Sequence, residues 1–141
     1  MAGRIATATP IYQKGLRKTR IIPTAEGQRS PRVRDAKHMA CIAVLPCVIC
    51  LSRGVHVAHV RMADPERGKR FTGKGEKPSD KWTVPLCPEH HLNGPDAQHA
   101  MNERIWWMQQ GIDPIDLCMK LYEATGDLEK MEQIIFAVER T

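Results

Sequence analysis

The segment VPLCPEHHLNGPDAQH, residues 84–99, holds one cysteine and three histidines within sixteen positions. Its Cys87-x-x-His90 pair has the spacing of a tight turn that aims two side chains at one point. Cys47-x-x-Cys50 has the same form, and 36 residues lie between the two pairs. Three thiolates and one imidazole match a closed, tetrahedral, structural zinc site. Two such pairs are much more specific than a single Cys-x-x-Cys. A lone cysteine is more often a small buried apolar residue, and Cys41 and Cys118, both in apolar helical settings, are read that way.

His91 lies beside a zinc ligand, so its position is fixed while its ring points elsewhere. It can face a second site across the knuckle. His99 and the strand-borne His59 can approach the same place. The chemistry open to such a group is hydrolytic. One or two histidines hold a divalent cation against a phosphate, and a free imidazole takes a proton from water. Taken singly, any of these histidines is as easily a structural residue. His56 is expected on the strand surface and His38 on a helix surface.

The elements that must carry these residues follow from pattern and punctuation. Asp35 can cap a short helix running to Leu45, with Met39, Ile42 and Ala43 inward and Pro46 as its end. VHVAHV, 55–60, and WTVPL, 82–86, read as short strands. Residues 61–81 form a long loop with seven Lys/Arg against four acids, of the kind that is usually functional or mobile. Its TGKGEK lacks the spacing and the Ser/Thr of a phosphate-binding P-loop. Asp96 can cap a helix over 97–110, and Gly111 stops it. Asp113-Pro114 opens another helix. Asp127 opens a last one with an apolar stripe of Leu128, Met131, Ile134, Ile135 and Val138. The methionines and tryptophans of these helices are expected in packing.

The 141 residues suit one domain with a lean core, since only 5% are aromatic. The formal charge is +5, unevenly spread. Residues 1–37 hold nine Lys/Arg against two acids, and the remaining 104 hold twelve against fourteen. Residues 1–34 read as a basic, flexible arm on a near-neutral domain of residues 35–141. Such an arm fits a polyanion, or else is a solvated tail. No apolar run is long enough to span a membrane, and the N-terminus lacks the apolar core of a signal peptide. A soluble, intracellular protein is expected, in which five cysteines favour metal over disulfides.

In combination, CVIC, AHVR (58–61), KPSDKWTVPLCPEHH (77–91), QHAMNERIWW (98–107) and GIDP (111–114) resemble the HNH nucleases of phages and prophages, including their recombination-enhancement enzymes. The resemblance covers roughly residues 35–125. It implies an α+β fold with a small ββα-metal core braced by a zinc knuckle and flanked by helices. It implies His59 as general base and His91 as ligand of a catalytic divalent metal, Mg2+ or another. His99 would be a further ligand, Asp80 a ligand or an orienter, and Arg61 a phosphate grip. It implies DNA as substrate, a bacterial host cytoplasm, and, as for some relatives, a recombinase filament as partner. Arg17, Lys18, Arg20, Arg29, Arg32 and Arg34 of the arm, with Lys69, Arg70 and Lys74 of the long loop, would meet the DNA backbone. The chain departs from the pattern at Ala58 and Val60, which flank the base, and at Trp82, where relatives carry asparagine. His90 stands where the second knuckle cysteine usually is. Two other readings stand beside the nuclease. One is a non-catalytic zinc-braced DNA-binding module, and the other is a phage structural protein that assembles through helices 97–139.

Overall fold

The computed structural model describes residues 32–73 and 75–140. Within them lie four helices and a two-stranded sheet. They are α1 (Ala36–Ala43), β1 (His56–His59), β2 (Thr83–Leu86), α2 (Glu103–Gln110), α3 (Pro114–Glu123) and α4 (Leu128–Phe136). Helix is thus combined with a small sheet, an α+β arrangement. Among the described residues no helix is long and apolar enough to cross a membrane.

β1 and β2 pair antiparallel, with His56 opposite Leu86 and His59 opposite Thr83. Val60 N–H donates to Trp82 O and extends the ladder by one step. The sheet packs on α1 and α3 through Ala58, Val84 and Leu86, all fully buried. Trp106 and Trp107 meet edge to face at 4.7 Å and close the core from α2. Both indole N–H groups are satisfied, by Asp96 O at 2.6 Å and Glu103 Oε2 at 3.4 Å. Large aromatic area thus compensates for the scarcity of aromatic residues.

Four of the helix starts and stops follow from local chemistry. The side chains of Asp35, Asp113 and Asp127 accept backbone N–H groups in the first turns of α1, α3 and α4. Gly111 ends α2 with φ +70°. The single helix expected over 97–110 is instead a short turn (Gln98–Ala100) followed by α2. Met101 is fully extended between them, and Asn102, not Asp96, caps α2 by accepting Ile105 N–H. The carbonyl of Asp96 is engaged by Trp106, which turns the chain before α2 begins.

Burial differs from the sequence pattern at four positions. Ala43 and Leu128 are exposed. His38 is fully buried rather than on the helix surface, because it shares the inward face of α1 with Ile42. Its Nδ1 bonds Thr125 Oγ1 at 2.7 Å and its ring stands on edge to Tyr122. His56, expected on the strand surface, is half-buried against His91.

The long loop is tied down. Asp64 and Lys69 form a bridge, Arg67 pairs with Asp64 and Asp113, and Arg70 pairs with Glu76. Upstream, Arg32 Nε donates to Pro78 O, Val33 N–H to Ser79 Oγ and Asp35 N–H to Asp80 Oδ2. These bonds join residues 32–35 to the Pro78–Asp80 end of the loop.

One turn, Glu89–Asn93, carries both His90 and His91. It closes with Gly94 N–H on Glu89 O at 3.0 Å. A Cβ at Gly94 would lie 2.7 Å from that same carbonyl oxygen. Gly94→Ala should therefore open this turn and destabilise the fold by about 1–3 kcal/mol, read by chemical denaturation against wild type; unchanged stability would show that the turn yields freely.

Candidate functional site

Cys47, Cys50, Cys87 and His90 offer ligand atoms that all lie within 4.8 Å of one another. Cys50 Sγ is 3.7 Å from Cys87 Sγ, and His90 Nδ1 is 3.2 Å from Cys87 Sγ and 3.8 Å from Cys47 Sγ. A tetrahedral zinc with ordinary bond lengths needs sulfur–sulfur edges of about 3.8 Å and sulfur–nitrogen edges of about 3.5 Å. The four side chains thus already outline a tetrahedron that could hold zinc. The first knuckle is a closed turn, with Cys47 N–H on Ser52 O at 2.9 Å and Leu51 N–H on Cys47 O at 2.8 Å. It forces Leu51 to φ +65°, a conformation that L residues adopt only under constraint. Burial pushes the Cys47 thiol up. Burial also opposes the Cys50 thiolate, but hydrogen bonds from Ser52, Cys87 and Cys47 outweigh it and draw that thiol down.

A second group lies on the far side of the His90–His91 turn. His91 Nδ1 is 2.9 Å from His56 Nδ1, and the His91 and His99 rings meet on edge at 4.8 Å. Metal–nitrogen bonds of about 2.1 Å would put neighbouring ligand nitrogens about 3 Å apart, so the His56–His91 spacing suits one shared cation as well as one shared proton. Burial, with the neighbouring His99, His56 and His59, lowers His91 to about 4, which keeps its lone pair free through neutral pH. From His99 the site continues into a cleft of about 160 Å³ lined by His59, Arg61, Gln98, His99, Met101 and Glu103.

Asp80 is almost fully buried and holds His59 from behind. His59 Nε2 lies 3.2 Å from Asp80 Oδ1, which also accepts Arg32 Nη2 at 2.8 Å, while Oδ2 accepts Asp35 N–H at 2.9 Å. Burial disfavours the Asp80 carboxylate, yet these hydrogen bonds outweigh it and hold the group below its ordinary range. Burial lowers the His59 imidazole as well. Asp80 opposes that shift, and the cations of Arg32 and Lys77 add to it. The result is a neutral imidazole whose Nε2–H is held by Asp80 and whose Nδ1 is left as the basic atom.

The remaining residues singled out from the sequence fall unevenly. Asp80 meets Arg32, His59 and the Asp35 amide. Among the described residues, only the Cys47–Cys50–Cys87–His90 set gathers three or more metal-capable atoms this closely. Lys69, expected to meet a DNA backbone, is buried, and among the described residues its ammonium has no hydrogen-bond partner. Arg61 reaches Glu76 O at 2.9 Å and lines the cleft beside His59. Arg32 and Arg70 are engaged by Asp80 and Glu76, and Arg34 is exposed. Arg17, Lys18, Arg20, Arg29 and Lys74 lie outside the described residues. Cys41 and Cys118 stand apart from the metal cluster as free thiols. Two residues were missed. His56 sits three positions before His59, where strict strand alternation turns it to the other face. Glu103 reads in the sequence only as an acid in a first helical turn.

Comparison of the chain with models of protein families, with curated proteins and with solved structures gives no match.

Purified protein should carry one zinc per chain that survives dialysis, as elemental analysis would register. Cys50 is exposed, so Cys50→Ser removes almost no packing. Its expected loss of both zinc and thermal stability would report the metal itself. Retained zinc in that variant would dismiss Cys50 as a ligand.

Proposed function

We propose that this chain is a metal-dependent DNA endonuclease of the HNH type, with His59 as its general base. The observation that supports this most is the Asp80–His59 pair, whose imidazole lines a cleft together with His99. A buried carboxylate that fixes one ring nitrogen and leaves the other basic is the arrangement proton abstraction from water requires. In the proposed reaction Nδ1 of His59 takes a proton as the water oxygen bonds to phosphorus. The bond from phosphorus to the leaving sugar oxygen then breaks, and that oxygen takes a proton from solvent water. Arg61 sits where it can turn from Glu76 O to a phosphate oxygen.

The donors next to this base are the imidazoles of His91, His99 and His56. They suit a borderline divalent ion such as zinc or nickel better than Mg2+, which prefers oxygen ligands. Such an ion would supply charge neutralisation at the scissile phosphate. The arm residues Arg17, Lys18, Arg20 and Arg29 supply the cationic charge that binds DNA irrespective of sequence, with strong salt dependence.

A second reading is favoured by Trp82, which is buried in the core at the position of the family's asparagine. A zinc-braced DNA-binding module without catalysis would tolerate that replacement.

Plasmid nicking with manganese, nickel or magnesium separates the two. Wild type should nick, and His59→Ala should fall by roughly a hundredfold or more. Because burial lowers His59, the acid limb of the wild-type rate should lie below pH 6.5. Salt-sensitive DNA binding without nicking under any metal would favour the module instead.

A further inference from the structure

We propose that Glu103 is a positioning residue that sets the separation of His59 and His99 across the cleft. Its carboxylate accepts Arg61 N–H at 2.9 Å and Met62 N–H at 2.9 Å, which fastens the chain leaving β1 two residues after His59. Its other oxygen accepts Gln98 Nε2 at 2.9 Å, one residue before His99, and Trp107 Nε1 at 3.4 Å in its own helix. One carboxylate at the start of α2 therefore joins the strand that carries the base, the turn that carries the facing imidazole, and the aromatic core. Gln98 is 3% exposed, and among the described residues its Oε1 has no partner and its hold on Glu103 is the one hydrogen bond fixing that side chain.

Behind Glu103 lies the buried ammonium of Lys69, within electrostatic reach of the carboxylate. Glu103 thus has two separable roles, neutralising Lys69 by charge and spanning the cleft by reach. Glu103→Asp keeps the charge but retracts the oxygens by one methylene. Glu103→Gln keeps the length but loses the charge and turns an N–H2 toward either the Arg61 and Met62 amides or Gln98 and Trp107, all of them donors.

The kinetic part of this inference rests on the nuclease reading, and the spectroscopic part does not. In the zinc-loaded full chain, imidazole NMR resonances of His59 and His99 should move in both variants, while those of His90 stay in place. If wild type nicks, kcat should fall in both by roughly a hundredfold with little change in KM for DNA. If Glu103→Asp restores wild-type resonances and wild-type nicking, Glu103 serves only to neutralise Lys69 and the positioning role is overturned. Unmoved His59 and His99 resonances in both folded variants overturn it as well, whether or not wild type cuts DNA. Absence of nicking by wild type, with the resonances moving as expected, removes the nuclease reading and leaves the positioning role intact.

Discussion

Two turns separated by 36 residues bring three sulfurs and one imidazole to a single point. The first knuckle is closed tightly enough to hold Leu51 in a left-handed conformation, and Val48 N–H bonds Pro85 O, tying the knuckle directly to β2. The second knuckle hands the chain into the His90–His91 turn. With His90 committed to the sulfurs, His91 faces away from them toward His56 and His99. A structural ion here would both close a small core and aim the neighbouring ring.

Beyond the knuckle, two carboxylates, one buried and one half-buried, organise the site. Asp80 gathers Arg32, His59 and the Asp35 amide, and Glu103 gathers the Arg61 and Met62 amides, Gln98 and Trp107. Each is a hub on which several segments distant in sequence meet; Glu103 itself lines the cleft, and Asp80 holds His59, which does. Such hubs are stabilising only while every donor finds its oxygen, so their substitution should disturb geometry more than it disturbs local helix or strand. Burial, with a smaller contribution from the cations of Arg32 and Lys77, lowers the His59 imidazole, which favours its use as a base.

Much of this was legible in the residues. The knuckle pairs could be read from spacing alone, because a tight turn is a local event. The caps Asp35, Asp113 and Asp127 and the stop at Gly111 were readable for the same reason. The resemblance to HNH nucleases drew attention to His59, His91 and His99, and the fold brings His59 and His99 to one cleft and sets the His91 and His99 rings against each other. What could not be read depends on tertiary partners. His38 and Lys69 are polar by type yet buried, one bonded by Thr125 and the other set over Trp82. The break at Met101 comes from the demand of Trp106 for the Asp96 carbonyl, which lies ten residues back. Glu103 has no sequence signature as a hub, since none of its main partners besides Trp107 lies within its own helix.

The division of labour between the adjacent imidazoles of His90 and His91 is most directly tested at the metal. X-ray absorption at the zinc edge, on protein purified without added metal, should show three sulfur ligands at about 2.3 Å and one nitrogen at about 2.0 Å. A shell of nitrogen and oxygen alone would put the tightly held ion among the histidines of the cleft and contradict the assignment of His90 to the scaffold.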